Sequence, residues 1–282
     1  MQTPELVLLG GSNSGKTHYA GQLYGRLRRN SGLLKLRKDQ GTPSDISILE
    51  EVLRCLAEGR AASHTSAGTW SEILLPLEDQ QGHALNLLWP DYAGEQLKTV
   101  FDDRIVSGAW QSKVCNAQGW LLLIRLKSET TYPDALAELV NRANGRNGGT
   151  TRAGVDANAY WVELLQILLH AGGFGTVARL QHPRLAILLS CYDELDICDE
   201  QTPLDILNRH LPLLASFIGS NWCLEAVSVW GLSALGCLLE ENSANANFID
   251  EGPEFQGWIV SPEGSSKDAD LSKPVAWLLG TQ

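Results

Sequence analysis

Residues 10–17, Gly-Gly-Ser-Asn-Ser-Gly-Lys-Thr, constrain the fold more than any other part of the chain. They follow an apolar run at 5–9 and precede a stretch, through Arg29, whose apolar residues recur at helical spacing. The run predicts a buried parallel strand and the stretch predicts a helix, with a glycine-rich loop between them. A strand, a tight loop and a helix in this order indicate an α/β domain.

Apolar strands alternate with amphipathic helices along most of the remaining chain. The strands at 70–77 and 83–89 are joined by a short turn, which favours an antiparallel pair. The predicted fold class is α/β, a three-layer fold with a mostly parallel sheet, helices on both faces and one antiparallel edge strand. Further strands are predicted at 119–126, 184–190 and 224–230, and further helices at 46–58, 95–110, from Pro133 onward, at 157–170 and at 203–218.

The predicted domain boundary lies at residue 239. Residues 1–239 are expected to form the sheet domain, with a long connection at 30–69 that contains an inserted helix and a flexible Gly-rich loop at 144–156. Residues 240–282 are expected to form an acidic, polar tail that ends in a short docking helix. The acidity is concentrated there, since residues 240–270 hold eight carboxylates and one lysine.

The composition excludes several classes of function. With 33 acidic and 22 basic residues the net charge is -11, so direct nucleic-acid binding is not expected. No apolar run approaches the length of a membrane span, and the beginning of the chain lacks the basic region of a signal peptide. The six cysteines form no CxxC pair, which is typical of reduced thiols. These features predict a cytoplasmic protein without a membrane segment.

Residues 10–17 also match GxxxxGK[ST], the phosphate-binding P-loop, without a mismatch. Glycines at 10 and 15 let successive amides point at phosphate oxygens, and the following helix adds its positive end. Lys16 is expected to neutralise phosphate charge, and the Thr17 hydroxyl to hold Mg²⁺. A chance glycine-rich turn is the alternative. The predicted nucleotide-binding residues of this loop are Ser12, Asn13, Ser14, Gly15, Lys16, Thr17 and His18.

The segment Asp91-Tyr92-Ala93-Gly94-Glu95 follows a predicted strand and has the form DxxG. With the P-loop, it resembles the Ras-like and translation-factor-like (TRAFAC) class of P-loop GTPases. The resemblance implies that Asp91 reaches Mg²⁺ through water and that the Gly94 amide senses the γ-phosphate, although an ordinary Asp–Gly turn is the alternative. It also makes 30–69 the switch I region, with Thr69, or its rival Thr65, as a metal-ligating threonine.

Base recognition in that class uses [NT]KxD at the end of an apolar strand. Ser190-Cys191-Tyr192-Asp193 stands at this place, and Asp193 can accept hydrogen bonds from a guanine base. Ser190 and Cys191 replace the usual polar residue and lysine, so the choice between guanine and adenine stays open. Ser233-Ala234 resembles the second base loop of the class, with Ser228 as an alternative position.

The long switch I, the DYAGE segment and the terminal KPVAWLL segment are similar to the bacterial double-GTPase group. Members of this group are encoded in conflict or defence gene clusters and are often paired with a second GTPase-like protein. The resemblance implies GTP and GDP as ligands, Mg²⁺ as cofactor, and a protein partner that is itself GTPase-like.

Lys16 and Glu95 are the predicted catalytic residues. Ras-like proteins have a glutamine directly after DxxG, whereas this chain has Glu95, so slow hydrolysis of GTP is expected. The function predicted from the sequence is a nucleotide-dependent switch toward a protein partner. Two alternatives remain open: a P-loop ATPase or nucleotide kinase, and a nucleotide-binding scaffold subunit without turnover.

Overall fold

The computed structural model describes residues 5–29, 32–37, 46–63, 71–91, 95–132, 155–175, 177–197 and 200–280. The strands are β1 (Glu5–Gly10), β2 (Leu34–Leu36), β3 (Ser71–Asp79), β4 (Ala84–Asp91), β5 (Gly119–Ile124), β6 (Arg184–Ser190), β7 (Val227–Ser233), β8 (Trp258–Val260) and β9 (Lys267–Asp268). The helices are α1 (Lys16–Arg28), α2 (Ser47–Ala57), α3 (Glu95–Asp103), α4 (Gly108–Asn116), α5 (Ala157–Ala171), α6 (Pro203–His210), α7 (Pro212–Asn221), α8 (Ala246–Asp250) and α9 (Lys273–Leu279).

These strands form one mixed sheet in the order β2-β3-β4-β1-β5-β6-β7-β8-β9. The five central strands, β4-β1-β5-β6-β7 in sheet order, run parallel to one another. β3 is antiparallel to β4, as the short turn between them predicts, but β2 pairs with its outer side, so β3 is not an edge strand. On the other side, β8 is antiparallel to β7. The predicted mostly parallel sheet is confirmed, and the antiparallel pairing extends further than predicted.

Helices cover both faces of the sheet because alternate residues of each central strand point to opposite sides. In β1, Leu6 and Leu8 pack with α1, α2 and α9, whereas Val7 and Leu9 pack with helices α3 to α7. All four of these side chains are buried. The predicted three-layer α/β arrangement is therefore confirmed.

Several predicted elements have different bounds in the structure. The single helix expected at 95–110 is two helices, separated near Arg104, whose φ of 52° interrupts helical geometry. The helix expected at 203–218 is also two helices, because Pro212 cannot donate a helical hydrogen bond. The last predicted strand begins at Val227 because residues 224–226 form a 3₁₀ turn. The helix predicted from Pro133 and most of the loop at 144–156 lie outside the described residues.

The segment after residue 240 packs against the sheet domain, which differs from the expectation of an appended tail. β8 extends the sheet beside β7, and α9 packs against β5 and β6. Val275 and Leu278 of α9 are fully or almost fully buried. The packing of this segment on the sheet could not be predicted from the sequence, because β8 and β9 have only three and two residues, too few to show a periodic apolar pattern.

Two buried polar residues of α1 join this helix to the C-terminal segment. The Tyr19 hydroxyl donates a hydrogen bond to the Leu271 carbonyl at 2.9 Å. The Arg26 guanidinium donates to the carbonyl oxygens of Gln256 at 2.5 Å and Ala269 at 3.2 Å. Burial lowers the pKa of Arg26 to about 10, so the side chain remains charged at neutral pH. Arg26 therefore acts as an internal connection and not as part of an exposed basic patch.

Replacing Arg26 with alanine is expected to lower the free energy of unfolding by roughly 2–4 kcal/mol, because the hydrogen bonds of a buried, charged guanidinium and its packing are lost together. The matched control is Arg28→Ala on the same helix, where the side chain is exposed and lies over the Tyr24 ring. That variant is expected to lose less than about 1 kcal/mol. Urea denaturation followed by circular dichroism measures both values. Equal losses for the two variants would contradict the assignment.

Candidate nucleotide-binding site

The loops that follow β1, β5, β6 and β7 meet at the carboxyl edge of the parallel strands, which is where ligands bind in open α/β sheets. A cavity of about 660 Å³ lies at this edge. Its volume is in the range of small-molecule and cofactor sites. The predicted residues that line it are Ser12, Asn13, Ser14, Gly15, Lys16, Thr17, His18, Cys191, Asp193 and Ala234.

The loop between β1 and α1 is held in a conformation that few other residues would allow. A Cβ atom on Gly10 would lie 3.0 Å from the Leu123 carbonyl oxygen of β5 and 2.8 Å from the Ser14 hydroxyl. Asn13 and Gly15 both have positive φ angles, of 58° and 78°. Left-handed positions of this kind turn successive amides toward one side of a loop, where an anion can bind.

Lys16 lies at the beginning of α1 with its side chain folded back over the loop. The Nζ atom donates to the carbonyl oxygens of Gly10 at 2.8 Å and Gly11 at 2.5 Å, and to the Ser14 hydroxyl at 3.1 Å. The side chain is buried at the cavity wall. The ammonium group is therefore positioned by the loop beside the positive end of α1.

His18 connects α1 to the predicted switch I region. Its Nε2 atom accepts a hydrogen bond from the Ala62 amide at 3.2 Å, so Ala62 lies against the cavity. The next amide along the chain toward α2, that of Ala61, donates to the Glu240 carbonyl at 2.9 Å. Thr65 and Thr69, the two predicted switch I threonines, lie outside the described residues.

The DxxG segment begins at the carboxyl end of β4. The backbone of Asp91 closes this strand, next to β1 in the sheet, and Glu95 is the first residue of α3. Gly94 and the side chains of Asp91 and Glu95 lie outside the described residues. The metal and water-positioning roles assigned to them stay predictions.

The end of β6 carries the residues predicted to bind the base. Cys191 adopts a left-handed conformation with φ of 50°, and Asp193 lies in the following 3₁₀ turn with its side chain exposed at the cavity. Burial raises the pKa of the Cys191 thiol to about 11, so the group is neutral at neutral pH. Ser190 is buried, and its hydroxyl oxygen makes no hydrogen bond within the described residues.

The two residues of the second predicted base loop, Ser233 and Ala234, have different roles. Ser233 is buried, and its hydroxyl accepts a hydrogen bond from the Gly236 amide at 2.8 Å, so it fixes the turn and does not line the cavity. Ala234 does line the cavity. Ser228, the alternative position, is buried beneath Trp230 and accepts a hydrogen bond from the indole nitrogen.

The cavity has two further walls that the sequence analysis did not assign. Residues 235–241 run along one side, and Leu239 belongs to a small buried apolar cluster that includes Leu56 of α2. Arg125 and Glu194 form an ion pair on another side, and their hydrogen bond raises the pKa of Arg125. The one available sequence signal is that Arg125 interrupts an otherwise apolar stretch at the end of β5.

Two other kinds of feature are absent from the described residues. No group of three or more His, Cys, Asp or Glu side chains there is arranged to hold a metal ion. None of the helices within the same ranges has the length and apolar character needed to cross a bilayer.

Comparison with solved structures finds GTPases with low sequence identity. The small GTPase Arl6 (BBS3) from Trypanosoma brucei, with a bound nucleotide analogue, is 11% identical, and the match covers 99% of this chain and 97% of that chain with a TM-score of 0.43. The signal recognition particle receptor complex SRb-GTP/SRX from Chaetomium thermophilum is 13% identical, with coverage of 89% and 98% and a TM-score of 0.38. A bacterial selenocysteine-specific elongation factor is 12% identical over 83% of this chain and 26% of its own, with a TM-score of 0.37.

Comparison with curated proteins gave no match. A family model described as Double-GTPase 1 matches residues 7–278, which includes every wall of the cavity described above. The resemblance to the double-GTPase group inferred from the long switch I, DYAGE and terminal segments is thereby confirmed, and this chain belongs to the Double-GTPase 1 family.

Proposed function

We propose that this protein binds GTP with Mg²⁺, hydrolyses it slowly, and changes its contacts with a protein partner according to the bound nucleotide. The observation that carries the proposal is the P-loop of a Double-GTPase 1 chain, with Lys16 held at the wall of a nucleotide-sized cavity. The family assignment supports GTP and GDP as ligands. The slow rate of GTP hydrolysis and the protein partner are proposed in addition.

The triphosphate is expected to bind at the beginning of α1. Gly15 at the N-cap has no side chain with which to cap the helix, and an anion is favoured at such a helix terminus. Lys16 already lies over the loop through its hydrogen bonds to Gly10 and Gly11. Phosphate oxygens are stronger acceptors than these carbonyls because they are charged, so Lys16 is expected to turn toward them with little movement.

The donor set predicted for Mg²⁺ fits this ion chemically. Thr17 offers a hydroxyl oxygen at the cavity, and Asp91 and Thr69 would add a carboxylate and a second hydroxyl. Hard oxygen donors of this kind suit Mg²⁺. When bound, the ion neutralises charge on the phosphate oxygens.

Slow hydrolysis is proposed from the residue after DxxG. A carboxylate at Glu95 is repelled by the γ-phosphate and orients an attacking water less well than the glutamine of Ras-like proteins. A slow reaction suits a switch whose GTP-bound state must persist. The resemblance to the double-GTPase group supports a second GTPase-like protein as partner, and a bacterial defence system as the setting.

Replacing Lys16 with alanine is expected to weaken GTP binding by about a hundredfold or more and to abolish phosphate release, because the triphosphate loses a buried cation. Lys98→Ala is the matched control, since Lys98 is exposed and pairs with Asp102 on α3. Titration with a fluorescent GTP analogue and a phosphate-release assay measure the two effects. If the wild type and Lys16→Ala release phosphate at the same rate, the protein is a scaffold without turnover.

Replacing Asp193 with asparagine is expected to weaken GTP binding at least about tenfold and to leave ATP binding within about twofold, because only guanine donates to this carboxylate. Asp196→Asn, three residues along and also exposed, is the control. Calorimetric titration with GTP and ATP gives both affinities. Equal losses for the two nucleotides would remove Asp193 from the base site, and a wild type that prefers ATP tenfold would favour the ATPase or kinase alternative.

Replacing Glu95 with glutamine is expected to raise kcat for GTP several-fold, because an amide can hold the attacking water, and to strengthen GTP binding modestly, because the like-charge repulsion is removed. Single-turnover phosphate release measures the chemical step. Gln96→Ala serves as the neighbouring control. A large loss of kcat in Gln96→Ala, with no change in Glu95→Gln, would transfer the water-positioning role to Gln96.

A further inference from the structure

Arg125 and Glu194 make a partly buried ion pair at the end of the cavity where Cys191 and Asp193 lie. Arg125 Nη2 lies 2.5 Å from Glu194 Oε1, and Arg125 Nε lies 3.1 Å from Glu194 Oε2. The two side chains are 29% and 12% exposed. A bidentate pair of this kind fixes the plane of the guanidinium group, which a single hydrogen bond would not do.

At the same end of the cavity, Cys191 stands at the position where the Ras-like class has a lysine. In the Ras-like class the lysine of [NT]KxD supplies its aliphatic stem there, and Cys191 offers only a short, neutral thiol in its place. Ser190 beside it is buried, and its hydroxyl finds no partner among the described residues. A buried polar group in this condition costs free energy unless a ligand or water completes it. The short side chain of Cys191 and the buried Ser190 hydroxyl both indicate that a bound ligand completes this part of the site.

We propose that Arg125, held flat by Glu194, packs its guanidinium face against the base of the bound nucleotide and replaces the missing lysine stem. This inference rests on the proposed function, since it concerns the same nucleotide site. Arg125 directly follows β5, and Glu194 is the last residue of the 3₁₀ turn after β6. Because β5 and β6 are neighbouring parallel strands, the two residues lie together at the cavity.

The physical basis is the stacking of a planar cation on an aromatic ring. Arginine stacks well because its guanidinium is flat and weakly hydrated, whereas a lysine ammonium is a compact point charge. Every base has such a face, so Arg125 contributes equally to guanine and adenine nucleotides. It differs in this respect from Asp193, which reads hydrogen bonds that only guanine donates. Because Glu194 neutralises the pair, Arg125 adds little net attraction for phosphate groups.

The experiment measures Kd for GTP, ATP and inorganic tripolyphosphate, which has the charge of the phosphates but no base. Arg125→Ala is expected to weaken GTP and ATP binding about tenfold each, with tripolyphosphate changed less than about twofold. Arg125→Lys keeps the positive charge and a salt bridge to Glu194 but lacks the planar guanidinium group. It is expected to show the same selective loss of affinity for GTP and ATP. It serves as the second variant if Arg125→Ala fails to fold. The control is Arg104→Ala, which breaks a more exposed arginine–glutamate ion pair, with Glu163, away from the cavity.

Selective loss of both nucleotides supports the base contact. Equal losses for GTP and tripolyphosphate would show that Arg125 acts on the phosphates. No loss for any ligand would show that the ion pair has only a structural role. Either result would overturn this inference but not the proposed function. A wild type that binds neither nucleotide more tightly than tripolyphosphate would overturn the proposed function as well.

Discussion

The close approach of Gly10 to β5 is the constraint on which the site depends. The backbone at the end of β1 lies so near the Leu123 carbonyl and the Ser14 hydroxyl that no side chain fits between them. The loop can therefore turn tightly, Lys16 can reach back to the carbonyls of Gly10 and Gly11, and α1 can begin at the wall of the cavity. A larger residue at position 10 would move all of these groups together, because they belong to one short loop.

The strongly periodic parts of the fold could be predicted from the sequence. β6 has the predicted bounds, and β1 and α5 differ by a single residue at one end, because long apolar or amphipathic stretches have one stable solution. The short strands β8 and β9 could not be predicted, since their pairing depends on a neighbouring β7 edge and not on their own residues. Propensity has little weight in segments of two or three residues.

The candidate site shows the same division. The P-loop residues were predictable because the motif specifies local backbone geometry, which neighbouring residues determine among themselves. Arg125 and Glu194 are separated by 69 positions and meet only because β5 and β6 are adjacent. Ser233 looked like a ligand-binding residue in the sequence, yet its hydroxyl caps the turn at Gly236. Residues that meet only through the pairing of distant strands form no recognisable pattern in the sequence.

The hydrogen bonds from Tyr19 and Arg26 to Leu271, Gln256 and Ala269 have a consequence for biosynthesis. The helix that carries the P-loop is synthesised well before these acceptors, which lie more than 200 residues later in the chain. Until that later segment has been synthesised, Arg26 keeps its contact with Gln22 of the same helix, but the bonds that join α1 to the C-terminal segment cannot form. The native packing of α1 is therefore expected to be completed late during translation.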